Sequence, residues 1–195
     1  MYHISEDKRS LQSSEWIYEA LRDLLEEKSY ESINITDIVN RANIGRSTFY
    51  RNFDTKDDVL RFKCDQKCIE LKEYLLEYQS KNGVPLGPLL TKPFTIFWSK
   101  NSSVIELLIK VNRVNILNES YADILRKYNN DNIDSMDDMS LKYADYILEA
   151  NVSSSIAVLV KWIKNNKRES PDDLSKIVVY QTMQNFLKLN IKDKE

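Results

Sequence analysis

Apolar residues recur along most of this chain at intervals of three and four, the spacing of one face of an α-helix. Ile17, Ala20, Leu21, Leu24 and Leu25 form the first such face and predict a helix that starts at Ser10 or Ser13 and runs to about Lys28. Residues 1 to 9 are polar and read as a disordered arm. Ile38, Val39 and Ala42 share a face of a short helix opening at Thr36, whose hydroxyl is suited to cap the first turn. Asn43-Ile44-Gly45 reads as a tight turn, since Asn tolerates a left-handed backbone and Gly has no Cβ to oppose an unusual one. A second short helix follows from about Arg46 to Asn52, burying Phe49 and exposing Arg46, Ser47, Thr48, Tyr50 and Arg51.

Thr55, with Asp58 three residues on, opens a long helix to about Ser80 in a near capping box. Its stripe is Leu60, Cys64, Cys68, Leu71 and Leu75. The run KNGVPLGP, 81 to 88, ends it. Leu90, Phe94, Phe97 and Trp98 predict a helix from about Leu89 to Lys100; Val104, Leu107, Leu108, Val111 and Val114 continue the periodicity, and a shorter helix is expected near Glu119 to Tyr128. NNDNIDSMDDM reads as a polar loop. A long apolar helix then runs from Leu141 to about Asn165, and a last one from Leu174 to about Leu189, with Ser170 as cap, Pro171 at the first helical position and Asp173 near the capping-box place. The expected fold is all-α, with about nine helices: a three-helix head and a larger helical domain, divided as 1–54 and 55–195.

Composition agrees: only 3 Gly and 4 Pro interrupt 195 residues. No stretch reaches the roughly 18 consecutive apolar residues of a membrane span, and MYHISEDKRS has no apolar signal core, so a cytoplasmic protein is expected. The net charge of −2 does not advertise nucleic-acid binding, but Arg41, Arg46 and Arg51 lie between Val39 and Phe53 with no acidic residue among them. A local positive face suffices to neutralise phosphates.

Other chemistries find little support. The one histidine, His3, lies in the arm, and no phosphate loop, nucleophile elbow or H-E-x-x-H is present, which argues against an enzyme. Cys64 and Cys68, four apart, share a helix face where a disulfide would be strained, and read as core. Asp131, Asp134, Asp137 and Asp138 lack the spacing of a calcium loop and read as solvated. No metal and no cofactor are expected.

Two short helices joined by a tight turn match the helix-turn-helix, whose second helix enters the DNA major groove. The segment from Ala42 to Leu60, with Ala42, Thr48-Phe49-Tyr50, Phe53 and Lys56 in place, resembles the signature of the TetR family of bacterial transcription regulators. The likeness covers Leu11 to Leu60. It departs at Asn43 and Ser47, where the family has glycine, at Asn52, where it has histidine or tyrosine, and at Gly45, where a serine usually caps the recognition helix.

The resemblance implies a DNA-binding regulator, a repressor more often than an activator, that binds a pseudo-palindromic operator as a homodimer. A small-molecule effector or a partner protein would act on its C-terminal domain. The expected DNA contacts are Arg46 and Ser47 on base edges, Thr48 on a base methyl or phosphate, and Thr36, Tyr50, Arg51 and Lys56 on phosphates. Phe94, Phe97, Trp98, Tyr121, Tyr143, Tyr146 and Trp162 are candidates for an effector pocket, against ordinary core.

The wide apolar surfaces of the last two helices need more than one partner, either a common core or a second subunit. Ser155, Val158, Leu159, Trp162, Ile177, Val178 and Gln181 are the dimer-interface candidates. The alternative is a dimeric ligand-binding or co-regulatory protein whose DNA head has lost its function.

Overall fold

The computed structural model describes residues 2–5, 7–83, 90–131 and 138–180. Among these the chain forms α1 (Lys8–Leu24), α2 (Ile35–Arg41), α3 (Arg46–Asn52), α4 (Lys56–Asn82), α5 (Thr91–Lys100), α6 (Ser103–Lys110), α7 (Val114–Asp131), α8 (Asp138–Lys142) and α9 (Ala144–Lys164). A further helical segment covers 171–180. The one extended pairing among the described residues is an antiparallel bridge between Tyr2 and Phe53. The chain groups into two compact units, one of Met1–Gln66 with Val104–Asp123, the other of Lys67–Ser103 with Ile124–Glu195.

The first unit packs α1, α2 and α3 around Ile17, Leu21, Ile38, Phe49 and Phe53, all essentially inaccessible to solvent. The arm expected to be disordered is part of this unit. The Tyr2 ring lies edge-on to Phe62, which in turn packs on Phe53. Its hydroxyl donates to Asp65 Oδ2 at 2.8 Å, and the His3 amide donates to the Asn52 carbonyl at 2.8 Å. A polar segment is held here by one aromatic side chain and its backbone, which composition alone does not reveal.

Helix α1 begins earlier than expected. Asp7 caps it, accepting from the Arg9 amide at 2.7 Å, and the helix ends at Leu24 rather than Lys28. Ser10 and Ser13, the expected start, are buried inside it. The cap of α4 forms as expected: the Thr55 amide donates to Asp58 Oδ2 at 2.8 Å, and the Asp58 amide donates to Thr55 Oγ1 at 3.2 Å. Leu60, Cys64, Cys68 and Leu71 are buried along α4, and both cysteines are free thiols.

The periodicity expected to run on through Val114 is broken. Asn112 has a φ of 54°, a left-handed residue that ends α6 and starts α7 five residues before the helix expected at Glu119. This α6–α7 corner is pinned by charge. Lys110 donates to Glu26 at 2.9 Å, Arg113 Nε donates to Asp57 Oδ2 at 3.1 Å, and Arg61 pairs with Glu119.

In the second unit, Phe94, Phe97 and Trp98 of α5 pack together, with Tyr74 of α4 against Phe97 at 5.7 Å between ring centres. The expected helix from Leu141 is two helices, interrupted at Tyr143, and Asp138 belongs to the short α8 rather than to a loop. Asp131 ends α7, while Asp134 and Asp137 fall outside the described residues. Helix α9 buries Leu148, Val152, Ile156, Leu159, Trp162 and Ile163, and the Trp162 indole donates to the Glu169 carbonyl at 2.9 Å. The last helix starts at the expected cap, where the Asp173 amide donates to Ser170 Oγ at 3.1 Å.

Hydrogen bonds from Lys176 and Lys92, both at 2.6 Å, hold the Asp172 carboxyl at about 2, against an ordinary 3.8. A depressed carboxylate stabilises the fold above its unfolded value and ceases to as pH falls through the folded one. Asp172→Asn is therefore expected to melt below the wild type at about pH 6, and the gap should close between about pH 4 and pH 2. Melts followed by helical circular dichroism test this; a gap independent of pH would reject the assignment.

Candidate nucleic-acid interface

Seven residues make α2 and seven make α3, so neither is stable without its caps and its packing. The cap of α2 is not Thr36, as expected, but Asn34. The Asp37 amide donates to Asn34 Oδ1 at 3.0 Å, and the Asn34 amide donates to Asp37 Oδ2 at 3.1 Å. The Asn34 amide and the Lys28 ammonium hold the Asp37 carboxyl below its ordinary range. Released from capping, the Thr36 hydroxyl accepts a hydrogen bond from Arg46 Nη2, joining the first turn of α2 to the first residue of α3.

The turn takes its left-handed residue at Asn43, with φ of 53°, and the Ile44 amide closes it onto the Val39 carbonyl at 3.0 Å. Gly45 differs from expectation. Its φ of −76° and ψ of 150° are ordinary extended backbone, and it stands as the N-cap of α3 with no side-chain hydrogen bond. A Cβ placed there meets only Ser47 Oγ, at an unstrained 3.6 Å.

Along α3, Arg46, Ser47, Tyr50 and Arg51 are exposed, Thr48 is half-buried and Phe49 is fully buried. The Tyr50 ring packs edge-on against Phe49 at 5.6 Å, which fixes the base of an exposed phenol. The last residue, Asn52, is fully buried. It accepts from Ser10 Oγ at 3.0 Å and donates through Nδ2 to Ser13 Oγ at 2.9 Å. Sequence reasoning missed this lock between α3 and α1. The available signal was Ser10, Ser13 and Ser14, three hydroxyls on the side of α1 that carries Ile17 and Leu21.

The positive face is smaller in space than in sequence. Arg41 Nη2 donates to both carboxylate oxygens of Glu27, at 2.8 and 2.9 Å. The Lys56 ammonium donates to the carbonyls of Tyr30 and Ile33 and sits 4.3 Å from the centre of the Tyr30 ring. Among the described residues, that leaves Arg46 and Arg51 of α3 as cations without a carboxylate partner.

The remaining candidates scatter. Phe94, Phe97, Trp98 and Trp162 are buried in the second unit, and Tyr121 is buried in the first. Tyr143 and Tyr146 are surface residues, Tyr146 being 79% exposed. Of the dimer candidates, Leu159 and Trp162 are core, Ser155, Val158 and Val178 are half-buried and Ile177 is exposed. Gln181 lies outside the described residues.

The sequence pattern of the bacterial regulatory proteins, tetR family, matches residues 17–61, and that of a transcriptional regulator C-terminal region matches residues 91–185. The chain belongs to the TetR family of transcriptional regulators, a family that is not enzymatic. It is 34% identical over 81 residues to the uncharacterized HTH-type regulator YxbF of Bacillus subtilis, covering 41% of this chain and 21% of that protein. It is 31% identical over 64 residues to DhaS of Lactococcus lactis, the dhaKLM operon transcriptional activator, covering 33% of this chain and 34% of that one.

The chain thus spans about a fifth and a third of these curated relatives. Its fold resembles that of Lin0861 from Listeria innocua, with a TM-score of 0.69 at 17% identity over 95% of this chain and 96% of that one. A protein of Syntrophomonas wolfei assigned to the TetR regulators gives 0.60 at 18% identity over 87% and 92%. At such identities the likeness is one of fold.

Two substitutions probe the construction of the interface. Gly45→Ser adds a cap where the backbone accepts one, and should raise stability by about 0.5–1 kcal/mol. Asn52→Ala strands the Ser10 hydroxyl in the core and should cost about 1–3 kcal/mol. Urea unfolding measures both; a neutral Asn52→Ala would show that the buried network holds nothing.

Proposed function

We propose that the chain binds a pseudo-palindromic operator as a homodimer, with α3 in the major groove, and represses until an effector or partner protein engages residues 55–195. The observation that carries this is α3 itself, a helix anchored through Phe49 and Asn52 whose outer face offers Arg46, Ser47, Tyr50 and Arg51, neither arginine being held by a carboxylate among the described residues. Arg46 and Ser47 are assigned to base edges, Thr48 to a base methyl or phosphate, and Tyr50 and Arg51 to phosphates. Lys56, with its ammonium bound to the Tyr30 and Ile33 carbonyls, is assigned to fixing the start of α4 to the head, residues 1–54. Such a protein acts in the cytoplasm, where its operator lies.

Dimerisation is supported by α9. By length and mean hydropathy, 1.2, it passes for a membrane span, yet only 33% of that stretch is buried within the chain. Tyr146, Ala150, Ser153 and Ala157 are exposed along one face, and Ile177 and Tyr180 are exposed on the helix that follows. A second subunit covering this seam accounts for an apolar helix in a DNA-binding protein. Leu159 and Trp162 support that face from beneath. For the effector, the buried Trp98 indole N–H has no acceptor among the described residues, a polar handle of the kind ligand sites use. Because α4 has residues in both compact units, it is the natural carrier of a change between body and head.

Selection of bound sequences from a random DNA pool tests the reading. A palindrome is expected, with Arg46→Ala and Tyr50→Phe each weakening binding by about 1–3 kcal/mol while sedimentation still shows a dimer. No binding at low salt, where phosphate contacts are strongest, would instead favour a co-regulatory protein with a silent head. The engagement of Arg41 and Lys56 is the observation that favours this second reading.

A further inference from the structure

We infer that Thr36 is a specificity-determining residue that works through Arg46, aiming its guanidinium, and is not a phosphate contact. The inference rests on the operator reading above. Three observations carry it. First, the hydroxyl of Thr36 is free of the usual duty of a threonine at a helix start, because the reciprocal pair Asn34 and Asp37 caps α2. Second, that hydroxyl accepts from Arg46 Nη2, which crosses the turn to reach it. Third, nothing else on the helix pair competes for the guanidinium: Arg41 occupies Glu27, Lys28 occupies Asp37, and Gly45 brings no side chain to the start of α3.

An arginine has several rotatable bonds and loses roughly 2 kcal/mol of side-chain freedom when ordered. Reading a guanine requires both of its donors to meet the O6 and N7 acceptors in one plane. Tethering one Nη2 hydrogen to Thr36 removes part of that freedom before DNA arrives. The other Nη1, Nη2 and Nε hydrogens remain for the base, so the tether and the base contact coexist. Thr36 thereby favours the one base pair that suits the tethered orientation over those an untethered arginine would also accept.

A phosphate contact and a positioning contact predict different readouts. With the full-length protein and the operator obtained by selection, equilibrium binding is measured for the wild type, Thr36→Val, Thr36→Ser, Arg46→Ala and the Thr36→Val/Arg46→Ala double variant. Each is titrated against the operator and its single-base-pair variants at several salt concentrations.

Arg46→Ala should abolish discrimination at one base pair of each half-site, roughly tenfold or more. Thr36→Val should lower discrimination at that same base pair by roughly three- to tenfold, leave the other positions alone and keep the salt slope unchanged. Thr36→Ser should behave as wild type, and Thr36→Val should add nothing in the Arg46→Ala background. Thr36→Val acting equally on all sequences, with a shallower salt slope, would make Thr36 a phosphate contact and overturn the inference. So would unchanged discrimination in a variant whose helical spectrum is native. A wild type that selects no sequence at all would overturn the operator reading itself, a result distinct from either.

Discussion

A helix of seven residues does not persist in water by itself, because the cost of nucleating a turn exceeds what two turns return. The outer face of α3 therefore exists only because the inner face and both ends are held. The Gly45 carbonyl accepts from the Thr48 and Phe49 amides, Phe49 fills the centre of the head, and Asn52 is tied to Ser10 and Ser13. The extended residue that follows, Phe53, pairs with Tyr2 of the arm. Each restraint is short-ranged, and together they set the direction in which Arg46, Ser47, Tyr50 and Arg51 project.

Charge is redistributed by folding. An acid-free run in the sequence acquires acidic neighbours from elsewhere, as Glu27 does for Arg41. Tyr30 shows the same at a second junction. Lys56 and Arg113 lie 4.3 and 5.3 Å from the centre of its ring, and its hydroxyl donates to Asp57, which also accepts from Arg113. Burial, followed by that carboxylate, raises the tyrosine above its ordinary range, so it stays a neutral donor. Partly exposed ion pairs of this sort contribute little individually to stability. Their use lies in geometry, since they join the start of α4, the α1–α2 connection and the α6–α7 corner within one unit.

The large apolar helices of the second unit raise a different problem. Five buried aliphatic residues and Trp162 give α9 one well-packed side, while Tyr146 and its neighbours leave the other open. In the proposed dimer a second copy would cover that side, and the symmetry of the pair would then be the symmetry of the operator.

The sequence by itself determined the helix class, most element positions, the helix-turn-helix, the capping box at Thr55 and the cap at Ser170. All of these depend on interactions within about four residues, which periodicity and cap chemistry encode directly. It also determined which residues of α3 point outward, Thr48 apart, which is half-buried. The tertiary structure alone decided what distant residues decide. It ordered the arm through Tyr2 and brought Arg46 to the Thr36 hydroxyl, while the α2 cap at Asn34 is a local box with Asp37 that the spacing could have shown. It turned Gly45 into plain extended backbone, ended α6 at Asn112, and buried Asn52 against serines about forty residues away. It likewise paired Arg41 with Glu27, bound the Lys56 ammonium to two carbonyls and sorted the aromatics, sending Trp98 inward and Tyr146 outward. Hydrogen bonds and burial between elements carry no spacing rule along the chain, so they become visible only when the elements are packed.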